Sequence, residues 1–241
     1  MTGTIINVAA ILIGGAIGLF FGARIPDRLK STVISAMGLF TALIGIQMFF
    51  KTENALIVLG SMLIGALLGE WWRIEDGLEA FGRWLEGRFY KGNADSSSTL
   101  GNSRSRFIIG FMTASLLYCI GPMAILGSIQ DGLTGDYQTL AIKSVLDFFA
   151  SVAFASTLGV GVLFSVVPLT IYQGGISLLA GQLNAIVTPA MMNEMTATGG
   201  VILVGLAISR LLEIKPIRVG NFLPALAVAP LIVWVLGLFN K

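Results

Sequence analysis

The chain has 241 residues, of which 55% are hydrophobic and only 12% charged, about half the roughly 25% charged share of a soluble domain. A soluble protein needs charge to cover its surface and a lipid-facing one does not, so the composition excludes a soluble enzyme. With no histidine and a single cysteine, Cys119, the chain can build no Ser-His-Asp triad, no His-ligated zinc or haem, no internal disulfide and no Cys-rich metal site.

A membrane-spanning helix needs about 20 mostly apolar residues. Runs of that kind lie near 4–22, 31–50, 55–72, 107–126, 139–157, 160–181, 195–213 and 219–239. The first has no basic segment before it and reads as a retained helix rather than a signal peptide. The stretch 139–181 is twice one crossing, so it must turn back. Leu158-Gly159-Val160-Gly161 predicts the place, since glycine permits tight backbone geometry. The fold expected is an all-α, polytopic transmembrane bundle of eight helices forming one integral membrane domain over 1–241.

Lys and Arg predict the orientation. With the N-terminus outside, the inward-facing loops hold Arg24, Arg28, Lys30, Arg73, Arg83, Arg88, Lys91, Arg104, Arg106, Arg210, Lys215 and Arg218, which are 12 of the 15 basic residues. Cytoplasmic loops are enriched in such residues, so both termini are expected outside a bacterial inner membrane.

The longest polar segment is 73–106. Ile74, Leu78, Phe81, Leu85 and Phe89 recur at helical spacing with Trp84 beside them, while Glu75, Asp76, Glu79, Arg83 and Glu86 fill the remainder. This predicts an amphipathic helix along the cytoplasmic interface. A flexible linker over 92–98 follows.

The first, third and seventh spans share a motif: Leu12-Ile13-Gly14-Gly15-Ala16-Ile17-Gly18, Leu63-Ile64-Gly65-Ala66-Leu67-Leu68-Gly69 and Ile202-Leu203-Val204-Gly205-Leu206-Ala207-Ile208. Each then meets a basic turn, a pattern that an internal duplication would leave. Gly14, Gly18 and Gly22 form a stripe that lets helix backbones approach closely. It serves either a contact within the chain or a homodimer.

Polar groups inside the apolar runs mark the candidate site. Gly121-Pro122 predicts a break in the fourth span, because proline removes a backbone donor and clashes with the preceding turn. Broken helices persist at membrane depth only where protein covers them or water lines them. Tyr118 precedes the break. Gln130 and Asp131 follow it, in a segment 127–138 that is either an outer loop or re-entrant. Lys143 and Asp147 lie four apart on one face of the fifth span. Asp147 falls about 12 Å along that helix, near mid-membrane, where an ionised side chain costs about 2.5–3.5 kcal/mol. It therefore needs a partner, a proton or water. Pro168 through Gln173 and Gly175 is expected to interrupt the sixth span, and Asn221, Pro224 and Pro230 the eighth. Glu194 reads as either a path residue or an N-terminal charge of its own helix. Asn7 and Gln47 can form interhelical hydrogen bonds.

The run Cys119-Ile120-Gly121-Pro122-Met123-Ala124-Ile125-Leu126-Gly127-Ser128-Ile129-Gln130-Asp131-Gly132-Leu133, with Val219-Gly220-Asn221-Phe222-Leu223-Pro224-Ala225-Leu226, resembles the YdfK/YqgA family of bacterial membrane proteins, domain-of-unknown-function family 554. The resemblance covers nearly the whole chain. It implies a cytoplasmic-membrane protein with transport as the expected activity and carries no site residues across.

The function expected is a small transporter or channel for an ion or small solute. Its path residues would be Asp147, Lys143, Tyr118, Gly121, Pro122, Gln130, Asp131, Gln173, Asn221 and Glu194. The partners expected are the lipid bilayer and the solute, with no nucleic acid and no cofactor. The alternatives are a non-catalytic assembly or sensor subunit and a membrane-embedded hydrolase. Against the latter, Leu133-Thr134-Gly135-Asp136 lacks the first glycine of the GxGD aspartyl-protease pattern, and no metal-protease or P-loop signature is present.

Overall fold

The computed structural model describes residues 1–22, 24–89 and 99–239. The linker expected at 92–98 lies outside the described residues. Among these residues all regular structure is helical. The helices are α1 (Thr2–Gly22), α2 (Asp27–Phe49), α3 (Ala55–Trp72), α4 (Ile74–Phe89), α5 (Thr99–Cys119), α6 (Pro122–Thr134), α7 (Gln138–Leu158), α8 (Val166–Leu178), α9 (Ala180–Ile186), α10 (Pro189–Leu206) and α11 (Ala225–Phe239). Seven segments are long and apolar enough to cross a bilayer, and α5 with α6 makes an eighth, bent by 61° at Cys119–Pro122.

The distribution of side chains is inverted relative to a soluble protein. Trp71 is 81% exposed, and Leu67, Ile171 and Leu178 also stand outward, whereas Asn7, Gln173 and Ser151 have no exposed surface at all. Lipid accepts the apolar exterior, while polar groups must find partners inside.

The chain divides into two compact units. Unit 1 comprises 1–34, 77–119 and 123–180, and unit 2 comprises 35–76, 120–122 and 181–241. In unit 1, α1 lies along α7. A Cβ placed on Gly14, Gly18 or Gly22 would meet the carbonyl oxygen of Phe148, Val152 or Ser156 at 2.5, 2.3 and 2.5 Å. The small-residue stripe is thus buried within the chain, against its own α7. In unit 2, Gly65 and Gly69 of α3 meet Ala225 and Asn221, and Gly38 and Gly45 of α2 meet Leu212 and Gly200.

These contacts also count the crossings. Positions rise together along α1 and α7, so the two helices run parallel. They rise on one helix and fall on the other for α3 with the α11 segment and for α2 with α10, so those pairs run antiparallel. If α5–α6 were re-entrant, α7 would oppose α1 and α10 would parallel α2. Both units therefore require the bent pair to be a complete crossing, and eight spans follow. Segment 127–138 consequently contains most of α6, the second half of a broken span, and a short turn.

Helix boundaries follow local chemistry. Gly159 adopts φ +85°, ψ −160° between α7 and a 3-10 turn over Val160–Ser165, the reversal expected there. Only glycine is at ease in this region. Gly159→Ala should cost about 1–3 kcal/mol, read as a lower unfolding midpoint in mild detergent. Asn54 caps α3 by accepting from the Leu56 N–H, and Thr188 caps α10 by accepting from the Met191 N–H. Pro189 occupies the first turn of α10, where a missing N–H costs nothing. That helix accordingly starts earlier than the expected residue 195.

The interruptions expected at Pro168 and at Pro230 are corrected, while the last span is broken at Asn221 and Pro224, between a 3-10 turn over Val219–Phe222 and α11. Pro168 is the third residue of α8, which runs unbroken through Gln173 and Gly175 to Leu178. Proline within the first turn removes only a donor that has no acceptor inside the helix. The irregularity lies upstream, in the 3-10 turn. In the last span Pro224 precedes α11, and Pro230 lies inside it without ending it.

The amphipathic helix is present as α4. Its Leu78 and Leu85 pack with Phe107, Phe111 and Met112 of α5, and Phe81 lies 5.9 Å from the Phe111 ring. Trp84 stacks on Phe81 and remains largely exposed.

Candidate functional site

The polar interior of unit 1 is arranged in levels along α7. Asp147 is the tenth residue of that helix, about 14 Å from its start, and its carboxylate is bonded to the Lys143 ammonium. Spacing of four brings the two onto one face. Both are sealed, at 6% exposure for Lys143 and 7% for Asp147. The Lys143 ammonium lies 5.8 Å from the centre of the Tyr118 ring, within cation–π range. One turn further, the Tyr118 hydroxyl and Ser151 Oγ are 2.7 Å apart.

Tyr118 and Cys119 are the last residues of α5, so the break in the bent span falls at the level of the ion pair. Gly121 and Pro122, both half-buried, form that break. The last carbonyls of α5 have no continuing turn to accept, and Pro122 at the start of α6 has no N–H to offer.

Nearer the start of α7, four helices converge. Leu140 of α7 lies against Gly3 of α1 and Gly127 of α6, and Gly132 of α6 lies against Ser177 of α8. Asp131 is buried and accepts from the Gly3 N–H at 3.0 Å, with the Met1 amino nitrogen 3.1 Å from its other oxygen. The negative carboxylate thus sits at the positive end of α1. Ser177 Oγ donates to the Ser128 carbonyl at 2.9 Å. Within this region Thr4 Oγ1, Ser128 Oγ, both Asn7 amide atoms and both Gln173 amide atoms are buried without a hydrogen-bond partner. The Asn7 amide stands beside the Asp147 carboxylate.

The other expected path residues lie elsewhere. Gln130 is exposed and accepts from the Thr139 hydroxyl at 2.7 Å, bracing the turn between α6 and α7. Glu194 and Asn221 belong to closed networks in unit 2. Glu194, six residues into α10, caps α3 rather than its own helix. It accepts from the Glu53 and Asn54 N–H groups at 2.8 and 3.1 Å and from the Thr52 hydroxyl at 2.6 Å. Asn221 accepts from the Glu75 N–H at 2.8 Å and donates to Glu70 at 2.5 Å. Glu75 in turn accepts from the Gly220 N–H and pairs with Arg210, and Arg218 pairs with Glu70.

Sequence reasoning gave Asn7 only a generic interhelical role and passed over Thr4, Ser128 and Ser151. The available signal was spacing. Asn7 shares a helical face with Gly3, Ile11, Gly14 and Gly18, at steps of four, four, three and four, and is the polar residue on an otherwise small or apolar contact stripe. Among the described residues no group of three or more Cys, Asp or Glu could hold a metal ion.

An all-helical bundle with eight apolar crossings and an inverted exterior defines a polytopic membrane protein. The family model described as "Protein of unknown function (DUF554)" matches residues 2–234, and the chain belongs to this family. It is 33% identical over 227 residues to a protein described as "Uncharacterized protein YqgA" of Escherichia coli strain K12, covering 94% of each chain. It is 32% identical over 246 residues to "Uncharacterized membrane protein YdfK" of Bacillus subtilis strain 168, covering 100% of this chain and 99% of that one. No solved structure matches.

Proposed function

We propose that the chain is a small transporter or channel that moves an ion or small solute across the bacterial inner membrane through the polar interior of unit 1, with both termini outside. An even number of crossings puts the termini on one side, and the excess of Lys and Arg in the intervening loops favours that side being the exterior. One observation carries the reading. A Lys143–Asp147 pair is buried near the middle of a span, at the level where α5 ends with Tyr118 and Cys119. Ionisable groups at this depth are costly to insert and mark solute paths in other membrane proteins. No enzymatic step and no cofactor are invoked.

The test is flux in liposomes containing purified protein, screened with inorganic ions and small polar solutes. Asp147→Asn should reduce the transported species at least tenfold, while protein yield and vesicle integrity stay constant. Undiminished flux in that variant removes Asp147 from the path. A second reading has one feature in its favour. The two charges are sealed and bonded to each other, as in a clamp that only holds α7 in place. A non-catalytic assembly or sensor subunit would show no flux alone and would copurify with a fixed partner.

A further inference from the structure

Thr4, Asn7, Ser128 and Gln173 come from three helices, and all are fully or almost fully buried with polar atoms unpartnered. A buried hydroxyl or amide without a partner costs about 1–3 kcal/mol, so four of them in one region form an expensive arrangement unless something occupies it. They offer four neutral oxygens: two hydroxyls and two amide carbonyls. The Asn7 amide turns its N–H side toward the Asp147 carboxylate, which leaves its oxygen available, and no hydrogen bond fixes which end of the Gln173 amide faces inward, so both can present oxygen.

The surroundings limit the size and charge of the occupant. Glycine contacts on both sides of Asn7 hold α1 against α7. A Cβ at Gly3 would lie 2.6 Å from Leu140, and one at Gly14 would lie 2.5 Å from the Phe148 carbonyl. A Cβ at Gly132 of α6 would lie 2.2 Å from the Ser177 carbonyl of α8. Backbones this close leave room for a desolvated ion rather than an organic molecule. The donors are all oxygen, which suits hard cations. The two carboxylates of the region, Asp131 and Asp147, are already partnered by the Met1 amino group and by Lys143, so a divalent ion would bring far more charge than the region can offset.

We infer that Thr4, Asn7, Ser128 and Gln173 form a station for a monovalent alkali cation, one turn from the Lys143–Asp147 pair. The inference deepens the transport reading and rests on it for its biological use, but cation binding is measured independently of flux. Because the oxygens are neutral, the station holds its ion weakly enough to release it. The field of Asp147 attracts the ion and that of Lys143 opposes it.

The experiment is thermal unfolding of the full chain in mild detergent, followed by tryptophan fluorescence. Sodium chloride and potassium chloride are each compared with choline chloride at fixed ionic strength. One of the alkali salts should raise the midpoint by about 5 °C or more at concentrations a hundredfold above the dissociation constant. Gln173→Leu removes two unpartnered polar atoms, so it should raise the baseline midpoint and yet abolish the salt-specific shift. A structural glutamine could not produce that combination. Lys143→Met should lower the cation concentration needed for half the shift at least tenfold. The inference is overturned if sodium and potassium act like choline on the wild type. It is equally overturned if Gln173→Leu and Asn7→Leu both keep the full shift. Asp147-dependent flux of some solute without any alkali-cation shift would reject the station and leave the transport reading standing. A shift lost in Gln173→Leu, in a protein that carries no flux, would support the station and reject transport.

Discussion

Asp147→Ala should destabilise the chain by about 3–5 kcal/mol, the cost of removing one partner from a buried ion pair. Lys143 would be left 6% exposed, with the Tyr118 ring 5.8 Å away as its remaining electrostatic neighbour. The ring attracts a cation by only about 2 kcal/mol even when desolvated, which does not replace a carboxylate. Lys143→Met combined with Asp147→Leu should recover most of the loss, because two well-packed apolar side chains carry no desolvation penalty. The double-mutant cycle, measured by denaturant or thermal unfolding in detergent, reads the coupling directly. Equal losses in the single and double variants would show that the two charges do not stabilise each other. Stability and flux separate here: the double variant should be folded and inactive in transport, so a folded, transporting double variant would confine the pair to a structural role.

Gly69→Ala should cost about 3 kcal/mol, the upper end for overpacking. A Cβ there would lie 1.9 Å from the Asn221 carbonyl oxygen and 2.6 Å from its carbon. Backbone atoms cannot rotate aside, so α3 must move away from the segment leading into α11. Asn221 is also bonded to Glu75 and Glu70, so displacement there strains charged contacts as well as packing. Gly77→Ala and Gly87→Ala supply the contrast. Both lie on α4 with nothing within 4 Å of the added carbon, and each should gain up to about 1 kcal/mol from helix propensity. Unfolding midpoints of the three variants in one detergent check the comparison.

The spans were legible because lipid imposes a length. About 20 apolar residues in a row have few other uses, and each expected run coincides with an observed segment to within a few residues, apart from the early start of α10 and the fourth run, whose bent span continues eight residues beyond 126 to Thr134. The reversal at Gly159 was legible because a forty-residue apolar run must turn and glycine tolerates the backbone required. The break at Gly121-Pro122 was legible because nothing precedes Pro122 but helix. Pro168 misled for the complementary reason. The sequence alone does not show that a helix begins two residues before it, and proline is harmless there. Glu194 was expected at the very start of its span and lies six residues into it, and its role was hidden too. Its acceptors serve Glu53 and Asn54, some 140 residues earlier, and no local pattern reports a contact of that separation. The same holds for the convergence of Asn7 with Asp147. The shared motif of α1 and α3 was legible too, and the two helices use it alike, glycine against backbone. Their partner helices run in opposite senses, however, so the likeness stops at that motif.

Two helix starts and the 3-10 turn before α11 are held by carboxylates from remote parts of the chain. Asp131 serves Gly3 across 128 residues, Glu194 serves Glu53 across 141, and Glu75 serves Gly220 across 145. During synthesis at roughly 5–20 residues per second, α1 and α3 emerge on the order of ten seconds before their clasps exist. The early hairpins must therefore wait in the bilayer with open ends, and a nascent chain halted after α8 would hold α1 secured and α3 still loose. The order of birth makes unit 2 the last to lock, and leaves its first helices the longest exposed to quality-control proteases.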